Sequence, residues 1–490
     1  MKQGLWRRFL HLNPAGWVWQ FAAGATIGAL LLTLVTGSLL LYRVGFFTWI
    51  VPVIQTGSLV ERSYVEPVDA EKLKRNLLSG MVGGLDPHST YLPPDEFGEM
   101  LKDMAGNYGG IGAVPRKKRE GGEERILITD LLEGGPGDKA GMKIKDEITS
   151  VDGMPTRGKS LSDVVGKIRG PMGSPVRLGL RREGKEIEVT AIRDEIKVPS
   201  VQSVSVAHPA GGKALVLRLR RFGEPTVREA AQIIMAAFKE PERPSALILD
   251  LRDNPGGILR TAVGIASFFL PAESVVTESR GRDPEERITY KARRRDWIER
   301  GPEGAATDWV SDLRRVVPEL ADLPLVLLVN RASASASEVV AAALKDHGRA
   351  LIVGSRTFGK GSVQTLFHLG DDGSQGAIKL TTSRYYSPKG APIQAVGVEP
   401  DIKVADRRNG VREADLPNHL KGAHGREFRS EDEERDTSRS ESDNTETKEG
   451  PSPFTRQLII EPDDNHMARA LEALAKMPKP ARPAPPQAMM

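Results

Sequence analysis

A serine and a lysine fall within one stretch, Asn330 to Gln364, the serine where a strand hands over to a helix and the lysine on a glycine-rich turn, so that they could serve as nucleophile and base. Leu325 to Val329 is an apolar run that reads as a buried strand. An alternation of Ser and Ala follows. Then Ser335-x-x-Glu338 stands ahead of Val339, Val340 and Leu344, the pattern of a helix start. A second apolar strand, Ala350 to Val353, leads to Gly359-Lys360-Gly361. A hydroxyl at a helix N-terminus suits a nucleophile, because the free N–H groups there stabilise a developing oxyanion. Serine still needs a base. His347 lies 12 residues on, about 18 Å along a helix, and is out of reach. Lysine serves once burial has lowered its pKa, and Lys360 is the candidate.

Each residue alone has a plainer reading, a helix-capping serine or a solvated lysine. Gly354 to Lys360 also nearly spells a phosphate-binding loop. Against that alternative, position 361 is Gly where a metal-binding hydroxyl belongs, and Ser362 to Phe367 alternates like a strand.

Taken together, S-A-S-A-S-E and then T-F-G-K-G-S-V-Q resemble the carboxyl-terminal processing (tail-specific) peptidases, the S41 serine peptidases with a Ser-Lys dyad. The resemblance implies Ser335 as nucleophile and Lys360, 25 residues later, as base. Gln364 then orients the lysine amine. The turn Asp250-Leu251-Arg252-Asp253-Asn254-Pro255-Gly256-Gly257 resembles the oxyanion loop of that family. It implies the Gly257 N–H, with Gly256 the less favoured choice, as one donor and the Ala336 N–H as the other. Asp346 matches a polar position that supports the fold.

The elements that position these residues follow from the rest of the chain. At 490 residues it holds more than one domain. Its net charge of +4, with both signs intermixed, gives no nucleic-acid footprint. It has no cysteine, which excludes disulfides and thiol chemistry. Residues 1–54 read as a cytoplasmic stub and transmembrane anchor. Lys2, Arg7 and Arg8 precede Trp17 to Tyr42, 26 residues without a charge, against about 20 needed to cross a bilayer. A cleaved signal peptide is the alternative, but Leu41-Tyr42-Arg43 offers no small-x-small site. The expected location is therefore the inner membrane, single-pass, with the catalytic part outside the cytoplasm.

Residues 55–105 read as a helical region broken at Leu85-Asp86-Pro87-His88, a segment that also resembles the family; His88 reads as a structural loop histidine. Residues 106–195 resemble a PDZ domain. The loop Gly109-Gly110-Ile111-Gly112 would receive a chain terminus by strand addition, and the helix from Ser162 to Ile168 would line the groove. Lys145-Asp146-Glu147 departs from the family's usual Gly-Asp. Residues 196–405 alternate strand and helix and read as an α/β peptidase core around a mixed sheet. Residues 406–490 read as a partly disordered extension, charged and Ser/Glu-rich from Arg429 to Ser452, with one short helix near Asn465 to Met477.

The expected architecture is a multidomain α+β and α/β chain, with a PDZ domain before a mixed-sheet peptidase core. The implied activity is cleavage of proteins recognised by apolar C-terminal tails, without metal or cofactor. The resemblance further implies Arg182 as a residue coupling a docked peptide to the active state, homo-oligomers, and a helical-repeat adaptor protein. A catalytically idle PDZ scaffold at the membrane is the alternative from another class.

Overall fold

The computed structural model describes residues 24–37, 46–105, 107–120, 123–300, 306–371, 373–406, 411–425, 427–428 and 454–477. Residues 1–80 and 81–490 form two compact units. In the first, residues 24–37 are helical, followed by helices Phe46–Ser63 and Ala70–Gly83, whose last turn passes into the second unit. The expected span from Trp17 to Tyr42 lies only partly within the described residues. Among these, no helix is long and apolar enough to cross a membrane.

The second unit holds two cores. The first belongs to the PDZ-like region. Strands Ala113–Glu120, Glu123–Leu131, Glu147–Val151, Pro175–Arg182 and Lys185–Ile192 pair in that order, all antiparallel. Alternating residues Val176, Leu178 and Leu180 point inward and are fully buried, with Ile128, Ile148 and Val164 against them. Helix Leu161–Ile168 begins on a reciprocal cap: Asp163 N–H donates to Ser160 Oγ at 3.1 Å, and Ser160 N–H to the Asp163 carboxylate at 3.3 Å. Strand Asn107–Gly110 pairs with Asp194–Lys197, bringing the two ends of the module together. Lys145 takes φ 77°, the left-handed conformation that glycine adopts without cost, which accounts for the departure seen in sequence. Asp146 beside it is buried and accepts the Lys143 N–H at 2.7 Å.

The peptidase core is built on two sheets. In the six-stranded sheet, Val201–Ala207 runs antiparallel to Lys213–Leu219; then Pro244–Asp250, Leu325–Val329, Leu351–Gly354 and Ile402–Lys403 follow in parallel. Its central strands are largely apolar, because helices cover one face and the C-terminal segment the other. Helices Thr226–Ala237, Leu259–Ser267 and Ala336–Asp346 contribute to the first layer. The five-stranded second sheet is antiparallel. It places Ala377–Tyr386 between Thr90–Leu92 and Val275–Arg280, with Ser362–His368 also paired to Ala377–Tyr386.

The core does not end near residue 405. Residues 454–477 return to it: the short helix expected near Asn465 to Met477 is present and packs on the sheet, a placement that the reading of residues 406–490 as a partly disordered extension did not include. Leu458 N–H donates to the Ser203 carbonyl at 2.9 Å, and Ser203 N–H to the Arg456 carbonyl at 2.8 Å. Helix Asn465–Lys476 buries Met467, Ala470 and Leu474 against Val216, Ile248 and Val326. Arg252 holds its start, donating to the Asp464 carboxylate at 2.7 and 2.9 Å and to the Asp250 carboxylate at 2.7 and 2.9 Å. The acidic stretch from Arg429 to Ser452 lies outside the described residues.

Candidate active site

Two adjacent parallel strands, Pro244–Asp250 and Leu325–Val329, deliver two turns to the same edge of the sheet. The first turn carries Gly256 and Gly257. The second carries Ser335, which precedes helix Ala336–Asp346. Asn254 is fully buried and stitches the turns together. Its side chain accepts the Gly256 N–H at 2.9 Å and donates to the Leu219 carbonyl at 2.8 Å. Its carbonyl accepts the Ala334 N–H at 3.0 Å and the Ser337 hydroxyl at 2.9 Å.

The approach is close. A side chain at Gly256, whose φ is +98°, would put its Cβ 2.7 Å from the Ala334 carbonyl, 2.8 Å from Ser335 Cβ and 2.9 Å from Ala336 N. At Gly257, φ +143°, a Cβ would meet the Phe222 carbonyl at 2.2 Å. Of the expected oxyanion donors, Gly256 N–H is already committed to Asn254. Gly257 N–H and Ala336 N–H make no hydrogen bond among the described residues. Both stand beside the serine, and Ala336 opens the helix, where the partial positive charge lies.

Ser335 itself has φ 56° and ψ −113°. A non-glycine residue in that region is strained, and such strain collects where surrounding structure imposes it for function. Glu338 imposes it here. This carboxylate is fully buried. One oxygen accepts the Thr357 hydroxyl at 2.6 Å and the Gly359 N–H at 2.7 Å. The other accepts the Ser335 N–H at 2.8 Å and the Lys360 N–H at 2.9 Å. One side chain thus fixes the backbone of the serine and of the lysine in a single frame. The expected helix start becomes a link between two loops. Burial pushes the Glu338 pKa up to about 7, against the four donors that favour its charge.

Lys360 lies on a loop between the two sheets, just before strand Ser362–His368. Burial, and then the nearby Lys379, pull its pKa below the usual lysine value, while Glu413, Glu338 and Asp86 oppose the shift. That is the direction a base needs. No hydrogen bond joins Lys360 Nζ to Ser335 Oγ among the described residues; contacts of this kind tighten when substrate binds. Gln364 makes no hydrogen bond to the lysine either among the described residues. Its amide donates to the Ser362 hydroxyl at 2.9 Å and the Thr381 hydroxyl at 3.1 Å.

Sequence reasoning missed the surroundings of the lysine. His88 Nε2 lies 2.7 Å from the buried carboxylate of Glu413. Glu413 also accepts from Gln394 at 2.9 Å, and Gln394 accepts the Gly361 N–H at 3.0 Å. Asp86 accepts from Ser89 at 2.6 Å and from Thr381 at 3.1 Å. The broken segment at 85–88 therefore forms one wall of the lysine site. His347 points elsewhere, 2.8 Å from the Val275 carbonyl. Asp346 accepts the Lys389 N–H at 2.9 Å, a structural tie as expected.

A groove of about 460 Å³ runs from Gly110, Ile111 and Gly112 past Val165 and Ile168 to Pro255. Three of the four residues of the expected PDZ loop line this groove. Gly109 is pressed against Gly170, whose carbonyl a Cβ would meet at 2.2 Å, and it does not line the groove. Arg182 does not line it either. It is locked to Asp146 by two bonds of 2.7 Å and to the Gly141 carbonyl at 2.7 Å. The side chain nominated as a coupling residue braces the module instead, since a bidentate pair leaves it little freedom to follow a ligand. The phosphate-loop alternative fails. Lys360 is followed by a strand, so no helix N-terminus faces the loop, and the Gly359 and Lys360 amides are taken by Glu338.

Residues 213–404 match the model of peptidase family S41, and residues 127–182 match a PDZ domain. The chain is 34% identical over 385 residues to a "Carboxy-terminal-processing protease" of Bartonella bacilliformis, covering 75% of this chain and 80% of that protein. It is 34% identical over 347 residues to a "Probable CtpA-like serine protease" of Staphylococcus haemolyticus, covering 71% of this chain and 63% of that longer protein. A solved structure of a photosystem II D1 C-terminal processing protease is 28% identical, covers 72% of this chain and 92% of its own, and overlays with a TM-score of 0.41.

Proposed function

This chain belongs to peptidase family S41, as a carboxy-terminal-processing serine peptidase with a PDZ domain, and from that premise we propose how its own residues divide the work. A protein's C-terminal tail docks as an added strand beside Gly110–Gly112, its carboxylate taken by the loop amides. Chain upstream of the terminus reaches the turn at Pro255. Neutral Lys360 takes the Ser335 proton while Ser335 Oγ attacks the scissile carbonyl. The N–H groups of Gly257 and Ala336 hold the oxyanion. Lys360 then gives the proton to the departing amine, and the peptide bond breaks. Water, deprotonated by the same lysine, releases the acyl group from Ser335. Gln364 acts at one remove, through Ser362 and Thr381.

The observation that carries this reading is the Glu338 carboxylate, which accepts the backbone amides of both Ser335 and Lys360. A scaffold would have no need to register a strained serine against a buried lysine. The charge-free run from Trp17 to Tyr42 after three basic residues supports a membrane anchor, with the catalytic unit outside the cytoplasm. The test is digestion of an unstructured protein with an apolar C-terminus by wild type, Ser335→Ala and Lys360→Ala. Cleavage by wild type and its loss in both variants is expected. Cleavage that survives Ser335→Ala would overturn the assignment, and turnover by none of the three would favour the scaffold.

A further inference from the structure

The groove that leads from the PDZ loop to the glycine turn is strongly basic, and its lining includes no acidic side chain. Arg116 and Arg169 enter it from the PDZ side, Arg220 and Arg221 from the peptidase core. Arg220 and Arg221 follow the strand Lys213–Leu219 and precede Phe222, whose N–H and carbonyl hold the glycine turn. The side chains of Arg116, Arg220 and Arg221 make no hydrogen bond or ion pair among the described residues. The neighbouring Arg218 is paired with Asp253 at 3.2 Å. Arg220 is the most enclosed. Burial, then Arg218, Arg116 and Arg221, act against its charge, and Asp130 acts weakly in its favour. Asp130 is itself partly engaged, accepting the Leu131 N–H at 2.9 Å.

Arg220 and Arg221 are half-buried and Arg116 is exposed; like charges crowded at a partly enclosed groove cost stability unless an anion joins them. Among the described residues that line the groove, none supplies that anion. We propose that Arg116, Arg220 and Arg221 form a subsite for an acidic side chain of the substrate tail. It would lie a few residues upstream of the terminal carboxylate, on the path from the PDZ loop to Ser335. The inference rests on the proposed function and narrows it: the preferred substrates are proteins whose apolar C-termini are preceded by Asp or Glu. The terminal carboxylate belongs to the amides at Ile111 and Gly112, so the arginines read a second charge. Two guanidiniums from the core and one from the PDZ side would then close on the same residue, setting the register of the tail relative to the oxyanion turn.

The test uses the full chain and one unstructured reporter protein with three tails. They share an apolar terminus and differ only in Glu, Gln or Lys at the third to sixth positions from the end. The expected order of kcat/KM is Glu over Gln over Lys, with about tenfold separating Glu from Gln. Added salt should erase the preference. Arg220→Gln with Arg221→Gln should bring the Glu-to-Gln ratio close to one. Equal turnover of all three tails by wild type would overturn the subsite, as would a ratio that the double variant leaves unchanged. Binding of labelled tail peptides to Ser335→Ala, read by fluorescence anisotropy, separates the two levels. If no tail is cleaved but the Glu peptide binds more tightly, the catalytic reading fails and the subsite stands. If the three peptides bind alike, the subsite fails.

Discussion

Replacing Glu338 by Gln would remove one charge without changing the size of the side chain, and the consequence can be worked bond by bond. The carboxylate receives four donors, two on each oxygen. An amide offers one oxygen. If that oxygen stays with Thr357 and Gly359, the NH2 group faces the N–H groups of Ser335 and Lys360, donor against donor. Two hydrogen bonds to a charged acceptor are lost, each worth about 1.5–3 kcal/mol. The sum, about 3–6 kcal/mol, falls on the two backbone segments that carry nucleophile and base. Expressed wholly at the transition state, it lowers kcat/KM by about two to four decades. Glu338→Asp keeps the charge but is one methylene short of spanning both loops, so it should recover only part of the activity. The assay is cleavage of an unstructured protein with an apolar C-terminus, with circular dichroism and denaturant melts alongside. A folded Glu338→Gln protein within threefold of wild-type activity would refute the reasoning. The pH dependence carries the same signature. Accepting four donors requires the ionised form, and burial has raised the pKa to about 7, so activity should fall as pH drops through about 7. For stability the sign is opposite. The native state keeps this proton above the ordinary glutamate value of 4.5, so the group's contribution is fully present below about pH 4.5 and is lost as pH rises to about 7. Melts of wild type should show that slope, and Glu338→Gln should lack it.

Three further outcomes are expected. Gly256→Ala places a methyl within 2.7–2.9 Å of three atoms of the serine turn; activity should be abolished, and a variant that turns over normally would show that the turns separate. Glu413→Gln removes a charge that favours the protonated form of Lys360, so the lysine pKa should fall further. The acid limb of kcat/KM then moves to lower pH, and a shift upward or none would count against the electrostatic role given to the segment around His88. Met467→Ala leaves a void between the C-terminal helix and the parallel sheet and should cost about 2–5 kcal/mol, read as a lower denaturation midpoint; an unchanged midpoint would mean that the helix adds nothing to the core.

Wherever function depends on residues close in sequence or on local periodicity, the chain was readable. The strand Leu325–Val329 and the helix behind it were legible because an apolar run and then an S-x-x-E start leave few other foldings. The alternation of strand and helix made the parallel core legible for the same reason. The PDZ module was recognisable despite Lys145, because its left-handed backbone reproduces what a glycine would do there. What escaped was contact across distance. His88 and Glu413 stand 325 residues apart, and neither has a local pattern that announces the other. Arg182 looked available because sequence shows its charge and hides its bidentate partner. The helix near Asn465 was legible from its apolar spacing, but its place on the sheet was not, because a strongly charged stretch separates residues 454–477 from the core they cover.

The parallel strand that ends at Asp250 feeds the glycine turn through Arg252, and Arg252 divides four of its five donors between Asp250 and Asp464. Asp464 is in turn the cap of the C-terminal helix, accepting the Met467 N–H at 3.0 Å. The end of the chain is therefore joined, through one guanidinium, to the strand that sets the oxyanion turn. The pairing is enclosed, and burial raises the worth of each bond as well as the cost of leaving a partner alone. Loss of the C-terminal helix would strip Asp464 from Arg252 while leaving Asp250 in place, so the turn at Asn254 to Gly257 would lose its outer support before the sheet lost its order. Activity should on this account fail at milder denaturant than secondary structure does, and coincident loss of both would place the support elsewhere.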